Sequence, residues 1–283
     1  LYTGCMNIGI IGAGKVGTTL AIAFKKAGFN VFIASRSIHS AEKAAAISGG
    51  ISTSIQRCAE QSDVIFLSVP DSEIENVAKN LKNIVSKEKI VAHLSGAFPS
   101  SILEFLNAKT CSVHPLKSFA DPLFSAKTLP ETLFAIEGDE AAVNEIEKII
   151  QKINGTLIRI KTIDKPIYHL AATITANYTV TLFNLSENLL CSIGFNETEA
   201  KNVLLSLLQG VLNNIKEKGS TQALTGPILR GDIKTIQLHL KNINDPSLKN
   251  VYKNLAFATL KIAERRGLNK EKIEEMRKVL NDG

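Results

Sequence analysis

The sequence predicts an α/β fold, a doubly wound parallel sheet, followed by an all-helical domain. Up to residue 161, short apolar segments alternate with stretches in which apolar residues recur at helical spacing. This alternation is typical of parallel strands joined by helices. Beyond residue 164 the strand signals disappear and long helical patterns follow. We therefore predict two domains, over residues 1–161 and 162–283.

The elements of the first domain follow from these patterns in order. Short apolar runs predict strands at 8–11, 30–34, near 51, and at 63–69, 90–94, 111–113, 133–136 and 157–160. Helical spacing predicts helices over 15–27, 53–61, 71–81, 100–107 and 140–153, and residues 117–130 are predicted to form a loop. Asp71 or Ser72 is expected to cap the helix over 71–81.

The second domain begins with a long helix over residues 164–191. Asp164 is a good N-cap, and Pro166 suits a first helical turn. The helix is roughly 40 Å long at 1.5 Å per residue, and it is apolar on most faces. A helix that is apolar all round should be buried, and one neighbouring domain could hardly cover it. We therefore predict a homodimer through the helical domain. Further helices are predicted over 197–218, 232–241, 247–266 and 270–280.

The composition excludes several classes of protein. Of the 283 residues, 45% are hydrophobic and 21% are charged, which supports a sizeable core and argues against disorder. The net charge of +6 is spread along the chain. That distribution suits an anionic small-molecule ligand but makes no stripe for nucleic acid.

Membrane contact, disulfides and bound metal are not expected. The longest apolar runs fall far short of the roughly 20 residues that a membrane span needs, and no signal-peptide pattern is recognised. The four cysteines, Cys5, Cys58, Cys111 and Cys191, are far apart and form no CxxC pair. We predict reduced cysteines in a cytoplasmic protein.

The most informative motif follows the first predicted strand. Gly12, Gly14 and Gly17 fill the G-x-G-x-x-G spacing between that strand and a helix. The first glycine allows a tight turn, the second lets a pyrophosphate approach, and the third lets the helix pack closely. The N–H groups of the helix N-terminus then attract phosphates. The residues predicted to bind a dinucleotide are Gly12, Ala13, Gly14, Lys15, Val16 and Gly17. A glycine turn that only packs the βα unit is the alternative.

The end of the second predicted strand bears on the choice of cofactor. NAD sites usually place Asp or Glu there, whereas this chain has Ser35, Arg36 and Ser37. A guanidinium with flanking hydroxyls binds a 2′-phosphate through charge-assisted hydrogen bonds. We therefore predict NADP, the alternative being that Arg36 is a solvated loop charge.

Small and polar residues also collect after the later strands, where ligands bind in such sheets. Those predicted to contact the cofactor are Ser68, Val69, Pro70, Ser95 and Gly96. His114 follows the strand at 111–113, the place for a general acid or a carbonyl-polarising donor in hydride transfer. A histidine in a surface loop is the alternative, and His93 and His239 are expected to be structural.

Three polar residues share one face of the long helix, because His169, Thr173 and Asn177 are each four residues apart. In an apolar helix such groups need partners. We predict that they face a cleft between the domains, where His169 and Asn177 contact the nicotinamide or the substrate and Thr173 contacts the substrate. Hydrogen bonds to a neighbouring backbone are the alternative.

A turn-rich segment over residues 223–232 interrupts the helices. Thr225 and Arg230 are predicted to close the site over the substrate, with Arg230 binding a carboxylate. They could act in their own subunit or in a partner subunit. Asp232 could join them, but a helix cap is at least as good an interpretation of that residue.

Six short motifs occur together in order: GAGKVG at 12–17, SVPD at 68–71, HLSG at 93–96, HPLKSF at 114–119, TANY at 175–178 and LTGPILRGD at 224–232. By these motifs nearly the whole chain resembles the short-subunit, Rossmann-like oxidoreductases whose second half is named only as a domain of unknown function. That family is similar in plan to pyrroline-5-carboxylate reductase and to the 6-phosphogluconate and 3-hydroxyisobutyrate dehydrogenases. The resemblance implies NADP, a helical dimerisation domain and a cleft between domains. The dehydrogenases carry a lysine where this chain has Thr173, so their lysine acid–base step is not implied.

The sequence is compatible with two functions. The first is an NADP-dependent oxidoreductase that transfers a hydride between the nicotinamide and a small carbonyl, imine or hydroxy-acid substrate. In that function His114, His169 and Asn177 would polarise or protonate the reacting group. The second is a non-catalytic protein that binds NADP(H) and reports the redox state to a partner, which the missing lysine modestly favours.

Overall fold

A computed structural model describes residues 6–282 of the chain. The predicted reduced state of Cys5 lies outside these residues. The chain divides into two compact units, Leu1–Asn177 and Tyr178–Gly283, and each is described by itself. The predicted domain boundary at residue 161 lies upstream of that division and stays a prediction.

The described part of the first unit contains an eight-stranded sheet with the order β3-β2-β1-β4-β5-β6-β7-β8. The strands are β1 (Asn7–Ile11), β2 (Asn30–Ala34), β3 (Ile51–Ser52), β4 (Val64–Leu67), β5 (Ile90–His93), β6 (Lys109–Pro115), β7 (Leu133–Gly138) and β8 (Thr156–Arg159). Strands β1 to β6 are parallel, as predicted. Strand β7 runs antiparallel to β6, with His114 opposite Ala135, and β8 is parallel to β7.

Helices cover both faces of this sheet, which confirms the doubly wound architecture. They are α1 (Lys15–Lys26), α2 (Ile38–Ser48), α3 (Ile55–Gln61), α4 (Ile74–Leu81), α5 (Pro122–Lys127) and α6 (Glu140–Lys152). Alternate residues of one strand enter two separate cores, because successive side chains point to opposite faces. In β4, Phe66 is buried in one core, and Ile65 and Leu67 are buried in the other.

Two helices of the first unit arise where the apolar pattern predicts none. Helix α2 is rich in alanine, and local signals mark its ends: Ser37 Oγ accepts from the N–H of Ser40, and Gly49 adopts a left-handed conformation after the last turn. Helix α5 lies inside the predicted loop over 117–130. It is capped by Asp121, whose Oδ1 lies 2.7 Å from the amide nitrogen of Phe124.

Two further predictions about the first unit are wrong. The helix expected over 100–107 is only a 3₁₀ turn at Ser100–Leu103, since its backbone bonds run from residue i to i+3, as in short connectors. Asp71 lies in a second 3₁₀ turn, Asp71–Glu73, and neither that turn nor α4 has a side-chain cap. The carboxylate of Asp71 accepts a hydrogen bond from Ser95 Oγ instead, at 2.9 Å.

Helix α7 (Lys165–Ser192) follows a 3₁₀ turn at Thr162–Asp164, and its first thirteen residues belong to the first unit. The second unit continues with α8 (Glu197–Ala223), α9 (Pro227–Arg230), α10 (Ile233–Asn242), α11 (Pro246–Arg265) and α12 (Lys270–Asp282). Gly219, at φ 76°, interrupts α8 next to its predicted end. The predicted all-helical second part is thereby confirmed. Its core contains Ile236, Leu260 and Met276.

The described chain leaves much of α7 and α8 uncovered. Of the side chains in α7 only Lys165 is buried, whereas Ile167 and Val180 are each 69% exposed. In α8, Leu207 is 66% exposed. The single chain thus does not bury α7 by itself, and the expected burial of this helix with the help of a second subunit stays a prediction.

Three further features bear on the expected class of protein. Among the described residues, no helix is both long enough and apolar enough to cross a membrane. Cys58 and Cys111 are buried and Cys191 is half-buried, and all three are free thiols. The same part of the chain shows no cluster of metal-ligating side chains.

Candidate functional site

The turn between β1 and α1 gives each of its three glycines a separate role. Gly12 has φ +119°, and a Cβ there would lie 2.0 Å from the carbonyl oxygen of Ser68. A Cβ on Gly17 would lie 2.0 Å from the carbonyl oxygen of Gly12. Around Gly14, by contrast, no atom lies within 4 Å of an added Cβ. Gly12 and Gly17 are therefore required by the turn itself, and Gly14 leaves the backbone open to a ligand.

Helix α1 presents its N-terminal amides at this turn. Gly14 is the N-cap and offers no side-chain bond, and the first helical bond runs from the N–H of Thr18 to the carbonyl of Gly14. The earlier N–H groups, of Lys15, Val16 and Gly17, have no partner within the helix. An anion placed here would meet these donors and the positive end of the helix dipole.

A cavity of about 510 Å³ opens beside Gly14, Lys15 and Val16, at the carboxyl ends of the parallel strands. The predicted residues Ser68, Val69 and Pro70 also line this cavity, together with Asp71, Leu94, His114, Pro115, Lys117 and Phe119. A cavity at this edge of a doubly wound sheet is where nucleotides bind.

The end of β2 lies beside the glycine turn. The N–H of Gly12 donates to the carbonyl of Ala34 at 2.8 Å. Ser35 and Arg36 are the next two residues of the chain after this contact. Arg36 is exposed, and Ser37 caps α2. A guanidinium is thus available at this end of the site.

A second cavity, of about 530 Å³, lies along the first turns of α7. It is lined by Tyr168, His169, Ala171, Ala172, Thr173, Thr175, Ala176 and Asn177 from the helix, and by His114, Leu116, Lys117 and Ser118. His114 and Lys117 line both cavities. The structure therefore brings the predicted His114, His169, Thr173 and Asn177 together within the first unit, and His114 joins them to the cavity at the glycine turn.

His114 is the second-last residue of β6 and is hydrogen-bonded to a residue that the sequence did not indicate. Its Nδ1 lies 3.0 Å from the hydroxyl of Tyr168, and its ring centroid lies 5.9 Å from that of His169. Burial lowers the pKa of His114 to about 4, and the neighbouring His169 and Lys165 add to that effect. Burial also raises the pKa of Tyr168 to about 12. At neutral pH the imidazole is therefore uncharged and the phenol keeps its proton.

Two family models match the chain. A Rossmann-like domain matches residues 1–117, and the domain of unknown function DUF2520 matches residues 132–259. One part of the chain therefore matches a Rossmann-like domain, and a later part matches DUF2520. The family resemblance predicted from the short motifs is confirmed. The Rossmann-like domain carries the glycine turn and His114, and the DUF2520 domain carries Tyr168, His169 and Asn177.

Solved structures of similar fold cover almost the whole chain. A proposed NADP oxidoreductase from Bacteroides fragilis is 23% identical, with a TM-score of 0.79 over 91% of this chain and 98% of that one. Protein TM1727 from Thermotoga maritima is 26% identical, with a TM-score of 0.65 over 97% and 98%. A pyrroline carboxylate reductase from Plasmodium falciparum, with NADP bound, is 17% identical, with a TM-score of 0.64 over 98% and 99%. No curated protein matches the chain.

The DUF2520 domain also contributes a buried lysine that lies outside both cavities. Lys165, the first residue of α7, is 0% exposed, and its Nζ contacts Ser95, Ser112 and Glu137. A lysine at a helix start is ordinarily a solvated charge, so the burial of this one could not be predicted from the sequence. Its acceptors are 28 to 70 residues away in the chain.

Ser95 and Gly96 are not among the lining residues of either cavity, but they lie next to residues that are. The hydroxyl of Ser95 donates to Asp71 and accepts from the N–H of Phe98, and a Cβ on Gly96 would lie 3.0 Å from His114 Nε2. Both residues thus contact side chains that line the first cavity, Asp71 and His114, and direct contact with a cofactor stays a prediction. His93 is buried and bonded to the backbone at Pro99 and Ser95, an arrangement typical of a structural histidine.

Thr225 and Arg230 belong to the second unit, before and within the one-turn helix α9, and both are exposed. Their predicted approach to the substrate stays a prediction. Asp232 caps α10, since its Oδ1 lies 3.1 Å from the amide nitrogen of Thr235. The interpretation of Asp232 as a helix cap is confirmed.

Proposed function

We propose that this Rossmann-like, DUF2520-containing chain is an NADP-dependent oxidoreductase acting on a small carbonyl, imine or hydroxy-acid substrate. One observation carries the proposal: the cavity at the glycine turn and the cavity lined by Tyr168, His169 and Asn177 share His114. A cofactor laid along the first cavity would thus end beside polar side chains in the second. The NADP named for two of the similar structures supports the choice of cofactor.

The residues at the first cavity fit a dinucleotide phosphate. The space over Gly14 admits a pyrophosphate, and the amides of Lys15 and Val16 can donate to it. Beyond β2, Arg36 can bind a 2′-phosphate, and residues 35–37 include no acidic side chain that would repel it. When bound, the nicotinamide would supply or take up a hydride.

The side chains of the second cavity can hold and move a proton. Because Tyr168 keeps its proton, its hydroxyl can donate to Nδ1 of His114, which leaves the proton of the neutral imidazole on Nε2. A protonated Nε2 can donate to the oxygen or nitrogen of a substrate double bond and so polarise it. Asn177 and Thr173, on the same face of α7, can orient that group with amide and hydroxyl hydrogen bonds.

We propose in addition that the chain acts as a homodimer and that the second copy covers α7 and α8. The exposed apolar side chains of these helices include Ile167, Val180 and Leu207, and contiguous exposed apolar surface is typical of a protein–protein interaction site. Thr225 and Arg230 are the residues of the second unit that we propose to bind substrate, in either copy.

The function is tested by measuring NADPH oxidation over a panel of keto acids and cyclic imines. We expect turnover with at least one member, and a loss of about 100-fold or more in His114→Ala and Asn177→Ala with NADPH affinity within twofold of the wild type. Tight NADPH binding with no turnover across the panel would instead favour the non-catalytic redox-reporting function.

A further inference from the structure

The buried lysine at the start of α7, Lys165, takes no part in the proposed chemistry. A charged side chain is almost never fully buried unless it is paired. The Nζ of Lys165 lies 2.5 Å from Ser112 Oγ, 3.1 Å from the carbonyl oxygen of Ser95 and 3.8 Å from a carboxylate oxygen of Glu137. These acceptors lie on β6, after β5 and on β7. One ammonium group therefore ties α7 to three neighbouring parts of the sheet.

Glu137 completes this buried ion pair. Its carboxylate accepts from the N–H and the hydroxyl of Ser100, at 2.7 and 2.8 Å, and from the hydroxyl of Thr162 at 2.8 Å. Both charges thus have several hydrogen-bond partners, which a buried pair needs in order to be tolerated. A network satisfied to this degree holds its members in one arrangement.

Ser95 is held at every polar atom. Its N–H donates to His93 Nδ1 and its hydroxyl donates to Asp71. Its carbonyl accepts from Lys165 and from the hydroxyl of Ser112. The next residue, Gly96, lies against two rings, since a Cβ there would be 3.0 Å from His114 Nε2 and 2.5 Å from a carbon of His169. The position of this turn therefore determines where both imidazoles can lie.

Lys165 acts on the same rings from the helix side. Tyr168 and His169 lie three and four residues after it, one turn along the same face of α7. We propose that Lys165 is a positioning residue, whose ammonium locks α7 and the Ser95–Gly96 turn together and thereby holds the Tyr168 hydroxyl on Nδ1 of His114. The inference rests on the proposed function in one respect only, which is that His114, Tyr168 and His169 are taken as the side chains that hold and move the proton.

The charge on Lys165 also acts on His114. The titratable groups that face His114 are Tyr168, His169 and Lys165 on α7, Lys117 after β6, and Asp71 after β4. Of these, His169 and Lys165 lower the pKa of His114, in addition to the larger effect of burial. Removal of the lysine charge should therefore raise the pKa of His114.

The variant to measure replaces both charges, Lys165→Met with Glu137→Gln. Met keeps the length of the side chain, and the Gln amide can still bond Ser100 and Thr162, so no unpaired charge is left buried. Lys161→Met is the matched control, because Lys161 is exposed and lies one turn upstream. The readout is a titration of the histidine ring resonances by NMR from pH 3.5 to 8, with His114→Gln used for assignment.

We expect the folded double variant to titrate His114 at a higher pH than the value of about 4 in the wild type, and kcat to fall at least tenfold with the KM for NADPH within twofold. Lys161→Met should match the wild type. A folded double variant whose His114 titrates as in the wild type would overturn the proposal.

A second variant keeps the test decisive if the double variant does not unfold cooperatively. Ser112→Ala removes one hydroxyl between Lys165 and Ser95 and changes no charge. The ring resonances of His114 and His169 should shift, whereas those of His39 and His239, on α2 and α10, should not; unchanged resonances for all four would overturn the proposal. The NMR readout requires no cofactor, so a failure to bind NADPH would refute the proposed function and leave this inference standing.

Discussion

Two histidines of the first unit are held uncharged by burial. Burial lowers the pKa of His93 and of His114 from 6.5 to about 4. Between these pH values the unfolded chain binds more protons than the folded chain. The stability contributed by the neutral rings is therefore complete above pH 6.5 and is lost as the pH falls toward 4. The difference between the unfolded and folded pKa values corresponds to ~3 kcal/mol in the free energy of unfolding for a fully buried histidine. It corresponds to less for the half-buried His114.

We therefore expect the urea midpoint of the chain to fall steadily as the pH is lowered from 6.5 to 4. The fall should be smaller in His93→Gln, which removes one of the two titrating groups. A midpoint that stays constant over this range would show that the rings are not held neutral in the folded state.

Arg36 should decide between the two nicotinamide cofactors. In Arg36→Asp the guanidinium is replaced by a group that repels a 2′-phosphate and can bond a ribose hydroxyl. We expect the ratio of NADPH to NADH affinity to fall at least tenfold, or ~1.4 kcal/mol. Arg57→Asp, an exposed arginine on α3, is the matched control, and equal ratios in the two variants would refute the role of Arg36.

At the level of single residues, the sequence predicted those whose chemistry is local. The glycine spacing and the four-residue repeat of His169, Thr173 and Asn177 are such patterns. It did not indicate Tyr168 or Lys165, because their hydrogen-bond partners are distant in the chain. Tyr168 bonds His114, and Lys165 bonds Ser112 and Ser95, each 53 or more residues away. Only the packing of α7 on the sheet brings these groups together.

At the level of elements, buried strands were the most predictable. Strands β1, β4 and β5 are covered on both faces, so their residues form continuous apolar runs. Helix α2 was not predicted, because its many alanines do not form a clearly apolar face. Its capping residues, Ser37 and Gly49, were nevertheless present in the sequence. The reversed direction of β7 could not be predicted, since an apolar run has the same appearance in either direction.

The cap at Asp232 offers a test at this scale. Both carboxylate oxygens are used, one by the N–H and the other by the hydroxyl of Thr235. Asp232→Ala should destabilise the chain by ~1 kcal/mol, and Asp232→Asn by less, with NADPH affinity unchanged. Thermal unfolding measures the first effect and calorimetry the second. A variant of normal stability that has lost substrate turnover would assign Asp232 to the site instead.

At the scale of the whole molecule, the uncovered faces of α7 and α8 predict association. Sedimentation should show twice the chain mass. Val180→Asp, which places a charge at a 69% exposed apolar position, should shift the equilibrium toward the single chain. Asn83→Asp adds the same charge at an exposed polar position after α4, outside α7 and α8, and should sediment as the wild type. A wild-type chain that sediments as a monomer at high micromolar concentration would contradict the homodimer.

The whole account depends on a dinucleotide phosphate resting on the turn at Gly14, and titration of NADPH into the folded chain by calorimetry tests this most directly. We expect saturable binding with a Kd in the micromolar range. Gly14→Asp should abolish that binding without loss of stability, because aspartate is a good N-cap but repels phosphate, while Gly14→Asn keeps the cap without the charge. No heat of binding with NADPH at millimolar concentration, from a chain that unfolds cooperatively, would contradict the account.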